Sequence, residues 1–239
     1  MHRSMNPKPL IALNQCIIQC RRCPRLVAWR DQVARTKRAA YREEEYWGRP
    51  LPGFGDARAR LLVCGLAPAA HGGNRTGRFF TGDRSGAWLY RALYRAGFAN
   101  QPTSTHRNDG LSLCDCYVTA CVRCAPPANH PTPEERDHCL AYLVDELRIL
   151  KRVGVIVCLG AFAWDGTLRA LRSLGIVLSQ KPRFGHQAEV AAGPYHLLGS
   201  YHPSQQNTFT GRLTQEMFDA VFERARILIQ GRSRRPQHG

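Results

Sequence analysis

GLAPAAHGGNRTGRFFTGDRSG, residues 65–86, joins an apolar strand pattern at 60–64 (RLLVC) to a helical pattern at about 87–96. A strand-to-helix connection in an α/β unit usually takes about two to six residues. This one is several times longer and rich in glycine. Long loops at the carboxyl ends of strands are where open α/β sheets bind ligands. Glycines let backbone approach a ligand and leave N–H groups free to donate. Phe79 and Phe80 offer flat apolar surface, and Arg75, Arg78 and Arg84 suit phosphate. The segment is neither a dinucleotide fingerprint nor a Walker loop, because it has no G-x-G-x-x-G and no G-K-[ST].

Working outward, the same strand–loop–helix grammar recurs. An amphipathic helical pattern at 11–38 is broken at Pro24, and a turn-rich connector follows at 49–55. Strands are predicted at 60–64, 116–122, 153–159 and 195–199. Helices follow at about 87–96, 132–150, 161–174 and 214–229. Residues 175–194 read as a connector with a β excursion. Thr132, Pro133 and Glu135 form a capping-box signature for the second of these helices. Alternating strands and helices predict a parallel sheet covered on both faces. In such a sheet the loops at 65–86, 123–131 and 200–211 converge on one crevice. The domain is expected to span 11–230, with a disordered segment at 1–10 and a basic, disordered tail at 231–239.

Composition narrows the partner. The chain has 239 residues and a formal net charge of +16, from 34 Lys+Arg against 18 Asp+Glu. Arginine far outnumbers lysine. That balance points to a polyanion, most simply nucleic acid. No apolar run reaches membrane-spanning length, and no secretory signal is read at the N-terminus. A cytoplasmic chain with no membrane partner is expected, and a monomer is the default for an enzyme that scans DNA.

In that setting the ten cysteines are candidate ligands or buried small hydrophobes rather than disulfides. Cys20-x-x-Cys23, Cys124 and Cys139 form a possible four-thiolate set. Spacing leaves zinc and an iron–sulfur cluster open, and leaves Cys16, Cys114 and Cys116 as competing ligands. Cys64, Cys121 and Cys158 sit in or at the ends of strands and read as core.

The polar candidates carry two readings each. His202 follows the fourth strand and can stabilise an anionic leaving group, or simply tie its own loop. Asp83 can activate water, or cap the following helix, a role Ser85 also suits. Asn129 can read a base edge, or serve as a turn residue among prolines. Phe80 can stack on a planar ring, whereas Phe79 reads as core.

Three stretches together resemble the motifs of family 5 uracil-DNA glycosylases, the iron–sulfur branch of their superfamily. They are GLAPAAHGGNRTGRFFTGDRSG (65–86), RCAPPANHPTP (123–133) with Cys139 following, and HPSQQNT (202–208). The resemblance covers about residues 12–230. It implies a three-layer α/β/α sandwich with a central parallel sheet of about four strands. It also implies a [4Fe–4S] cluster on Cys20, Cys23, Cys124 and Cys139. Leu66 and Ala67 stand where the superfamily's first motif usually carries an acidic or amide residue, and Ala120 stands near its usual base-binding asparagine. Asp83 and Asn129 are the expected substitutes.

The implied reaction flips a damaged nucleotide out of DNA and hydrolyses its N-glycosidic bond. Gly65, Leu66, Ala67, Phe80 and Asn129 are expected to hold the base, and Asp83 and His202 to act on the bond. Arg75, Arg78, Arg84, Ser204, Gln205 and Asn207 are expected on the DNA backbone. The departures imply loose base choice, extending from uracil to hypoxanthine, xanthine or etheno-cytosine. No lysine nucleophile is evident, so no strand cleavage is expected. A non-catalytic DNA-binding module and a hydrolase of free nucleosides are the rival readings.

Overall fold

The structure, a computed structural model, describes residues 7–233. Its helices are α1 (Lys8–Ile18), α2 (Pro24–Thr36), α3 (Gly73–Thr76), α4 (Arg84–Arg95), α5 (Pro133–Ile149), α6 (Ala161–Ser173), α7 (Gln205–Phe209) and α8 (Gln215–Ser233). Its strands are β1 (Phe54–Gly55), β2 (Leu61–Gly65), β3 (Cys116–Ala120), β4 (Val155–Leu159), β5 (Glu189–Ala192) and β6 (Tyr195–Ser200).

The strands form one sheet in the order β1-β3-β2-β4-β6-β5. The four central strands are parallel. They are the four expected strands with ends shifted by up to two residues. The sheet has six strands rather than about four, because β1 and β5 add antiparallel edges. The two-residue β1 has no alternation to detect. β5 is the excursion within 175–194; it turns through Gly193, in the left-handed region at φ 57°, to pair with β6.

Every residue of β2, β3 and β4 is buried. Alternation sends their side chains into two separate cores. Leu61, Val63, Val118, Val157 and Leu198 pack with α4 and α8 on one face. Leu62, Cys64, Tyr117, Ile156, Cys158 and Leu197 pack with α5 and α6 on the other. The three-layer α/β/α arrangement follows from this division.

The break expected at Pro24 is present: the 11–38 pattern is two helices, Cys20-x-x-Cys23 lies between them, and Pro24 opens α2. Two expectations about the ends are corrected. Residues 8–10 belong to α1, and Leu10 is fully buried against Tyr117 and Leu143, so the N-terminal expectation fails there. At the other end α8 continues through residue 233 and takes in Gly231. The remainder of both terminal expectations, 1–6 and 234–239, lies outside the described residues. Among the described residues no helix is long and apolar enough to cross a membrane.

Candidate active site and cysteine cluster

β2 ends at Gly65, and the absence of a side chain there makes room for an aromatic ring. A Cβ on Gly65 would lie 2.7 Å from Cζ of Phe80. Phe80 adopts φ 52°, a left-handed conformation uncommon for a bulky residue. Its carbonyl fits against Gly86, where a Cβ would come within 1.8 Å. The strain therefore serves to lay the Phe80 ring under the strand end. Across from it stands His202, with ring centroids 6.0 Å apart and planes 33° apart.

His202 is held by its backbone. Its carbonyl accepts from Ser204 N at 2.8 Å and from Asn207 Nδ2 at 2.8 Å. Ser204 caps α7, its hydroxyl accepting from Asn207 N. Burial pulls the imidazole down to about 4, so the ring is neutral at physiological pH. A neutral imidazole retains one N–H donor.

The helix-cap reading of Asp83 is the one the structure shows directly. It is the N-cap of α4, and Oδ1 accepts from Gly86 N at 2.8 Å. Oδ2 points at Gly72, where a Cβ would sit 2.1 Å away. Burial raises the carboxyl's pKa, against the opposing pull of the Gly86 and Ser85 amides and the Arg75 charge. A half-buried carboxylate with elevated proton affinity suits a general base. Gly86 ties the groups together, since its amide holds Asp83 and its α-carbon seats Phe80.

Two of the expected phosphate ligands are corrected. Arg75 is 7% exposed and braces the loop from inside: Nε donates to His71 O at 2.8 Å and Nη2 to Gly82 O at 3.1 Å. Its guanidinium also pairs with Glu44 and lies 3.8 Å from the Tyr41 ring centroid. Arg78 is 3% exposed and donates to Thr81 Oγ1, Ser104 Oγ, Arg107 O and Asp109 Oδ2. Arg75 spends its donors on carbonyls of the glycine-rich loop, which need internal partners, and Arg78 ties that loop to the 104–109 segment. Arg84 is exposed at the start of α4, with its guanidinium 4.1 Å from the Phe209 ring centroid. Gln205 is exposed as well, whereas Asn207 is occupied in holding His202.

The expected base contacts divide. Gly65 and Phe80 meet at the pocket. The carbonyls of Gly65 and Leu66 accept from Cys121 N and Val122 N, extending the β2–β3 pairing. Ala67 packs with Phe162 on the cysteine cluster, so its side chain serves that core rather than a base. Asn129 is exposed on the turn Pro127–Asn129, with φ 59°, rather than packed beside Phe80. Left-handed backbone at Ala128 and Asn129 turns the chain between its prolines.

The cysteines expected as ligands gather. Cys23, Cys124 and Cys139 pack together with Leu26 and Val122 in one buried unit. Arg30 links this unit to Cys20, donating from Nη1 to Cys124 Sγ at 3.0 Å and to Cys20 O at 3.3 Å. Burial, with the neighbouring thiols adding, pushes Cys23 up to about 11 and Cys124 up to about 12. Of the competitors, Cys16 and Cys114 are exposed and Cys116 is buried within β3. Cys64, Cys121 and Cys158 lie in the core beside α5 and α6, as expected. Among the described residues no three Cys, His, Asp or Glu side chains stand at single-ion spacing.

Sequence reasoning missed a polar knot beneath the site. Arg123 and Glu146 are 1% and 0% exposed and pair through two hydrogen bonds, at 2.9 and 2.6 Å. Thr119 Oγ1 adds a third bond to Glu146 at 2.7 Å. A lone arginine beside Cys124 and a glutamate mid-helix give no joint signal until the fold brings them together. Arg30 was more accessible to reasoning, for it lies seven residues beyond Cys23 and so on the same face of α2.

A strained aromatic thus lies under a strand end with a neutral histidine facing it, and Gly86 links that aromatic to a capping carboxylate. The family model for the uracil DNA glycosylase superfamily matches residues 52–226. A Mycobacterium tuberculosis protein named type-5 uracil-DNA glycosylase is 55% identical over 219 residues, covering 90% of this chain and 80% of its own. Proteins of the same name are 52% identical in Thermus thermophilus (91% and 97% covered) and 45% identical in Pyrobaculum aerophilum (87% and 88% covered). The chain belongs to the uracil-DNA glycosylase superfamily, and within it to the type-5 group.

Proposed function

We propose that this protein excises uracil from DNA by hydrolysing the N-glycosidic bond, leaving an abasic site. The observation that carries the reading is the Phe80–His202 pair facing each other at the Gly65 strand end. The +16 charge favours DNA over a free nucleoside as substrate.

The flipped base stacks on Phe80. As the C1′–N bond breaks, its electron pair leaves with the base. Neutral His202 donates a hydrogen bond to the charge developing there, and being already uncharged it keeps its proton. A water oxygen bonds to C1′ and passes a proton to the Asp83 carboxylate. The free base is then protonated from solvent. No amine nucleophile enters this scheme, so the abasic strand stays intact. Few side-chain contacts fix the base edge, which favours acceptance of hypoxanthine or xanthine beside uracil.

Cys20, Cys23, Cys124 and Cys139 would hold a [4Fe–4S] cluster. Four cysteines drawn from two segments, with the buried Arg30 charge against them, fit a thiolate-bound group. It would act as a structural tie between α2 and the loop after β3. A cytoplasmic location and action as a single copy complete the proposal.

The test is base release from duplexes carrying uracil, hypoxanthine or xanthine. Wild type is expected to leave abasic sites at uracil. Asp83→Asn is expected to lose about 10²–10⁴ in rate and His202→Ala about 10²–10³, with DNA affinity retained. Binding without release of any base would instead favour the non-catalytic module, and release from free deoxyuridine alone would favour the nucleoside hydrolase.

A further inference from the structure

A groove of about 900 Å³ leads away from Asp83 between α4 and the 102–106 segment. Along one wall run Arg84, Ala87 and Arg91, all exposed on one face of α4. Across from them stand Pro102, Thr103, Thr105 and the exposed His106. The groove's two other charges, Arg75 and Glu44, cancel as an ion pair. What remains beyond Asp83 is cationic. Arg84 belongs to the groove and also stacks on Phe209, which is 66% exposed at the end of α7. Arg84 thus links the groove to α7, whose Asn207 holds the His202 carbonyl.

Seven residues of helix advance about 10 Å, and one DNA strand rises 3.4 Å per nucleotide, or about three nucleotides over that span. We infer that this groove carries the phosphodiester backbone of the damaged strand on one side of the flipped nucleotide, with Arg84 nearest the pocket and Arg91 as the outlying phosphate contact. The inference rests on the DNA-glycosylase reading and adds the path of the strand. Arg91 lies outside every motif that the sequence singles out. It is marked by geometry alone, an arginine two turns beyond the catalytic cap on the same helix face.

Phosphate contacts declare themselves through salt. Each one lost lowers the slope of log affinity against log salt by about 0.9. The experiment measures binding of the full chain to a duplex bearing a stable abasic analogue, between 50 and 200 mM NaCl, in parallel with uracil release. Arg91→Gln is expected to lower the slope by about 0.9, so that its affinity deficit against wild type shrinks about 3.5-fold over that range. Arg91→Lys is expected to restore most of the slope. Arg172→Gln, on α6, is expected to match wild type. An Arg91→Gln slope equal to wild type, in a protein that still releases uracil, overturns the strand path and leaves the enzyme reading standing. Wild type that neither binds the duplex nor releases uracil overturns both.

Discussion

At the scale of single residues the proposed mechanism rests on Asp83 and His202, with Arg75 behind them. In that mechanism the carboxylate form of Asp83 accepts the water proton, so the rate falls as pH drops through its pKa. Burial has raised that pKa, so the acid limb of the rate profile is expected above the usual carboxylate range. His202 is neutral from about pH 5 upward and contributes no limb near 6.5. His202→Gln should therefore slow the reaction without moving the limb. Arg75→Gln removes a charge that favours ionised Asp83 and frees the His71 and Gly82 carbonyls that it braces. Its limb is expected to shift to higher pH, with a rate loss on the order of 10²-fold from the misplaced loop. A pH–rate series on the three proteins checks both claims. The strand-end placement of Asp83 and His202 was legible in the sequence, because each lies in a loop that follows a predicted strand. The inward turn of Arg75 and Arg78 was not, because a guanidinium that binds phosphate and one that binds carbonyls are the same letter.

At the scale of elements, α5 presents Cys139 and Glu146 from one rigid rod, and its start is fixed by a complete capping box. Thr132 Oγ1 accepts from Glu135 N at 3.2 Å, and Glu135 Oε2 accepts from Thr132 N at 2.8 Å. Arg25 on α2 reaches the same glutamate at 2.7 Å, so the cap also docks two helices. Thr132→Ala is expected to cost about 1 kcal/mol in urea unfolding. Glu146→Gln is expected to cost about 3–5 kcal/mol, because it leaves the buried Arg123 guanidinium uncompensated. The cap could be read directly, since its residues are local and ordered by spacing. The Arg123–Glu146 pair could not, since its partners lie 23 positions apart on different elements. The parallel strands were legible as apolar runs. The β1 edge was not, since pairing with β3 rather than any pattern of its own makes Phe54–Gly55 a strand.

At the scale of the molecule, the chain folds as a sheet whose carboxyl ends hold the pocket, with the cysteine unit set to one side. In the proposed reading wild type purified without air carries about four irons per chain, and Cys139→Ser carries far less. Limited proteolysis of that variant is expected to open the 19–23 break first, since the tie between α2 and the β3 loop is then lost. Iron analysis with mapping of the first cut checks this. Full iron in Cys139→Ser would remove that residue from the ligand set.

The flanks of the sheet carry a last consequence. One margin is β1, two residues long, and the other is β5, whose Glu189 is clasped by Arg224 at 2.8 and 2.9 Å. A strand margin with free amides invites another copy to add on, and from there filaments grow. Here one margin is too short to template such growth and the other is guarded by charge. The molecule can thus crowd along a polyanion, many copies side by side, without its sheets zipping together.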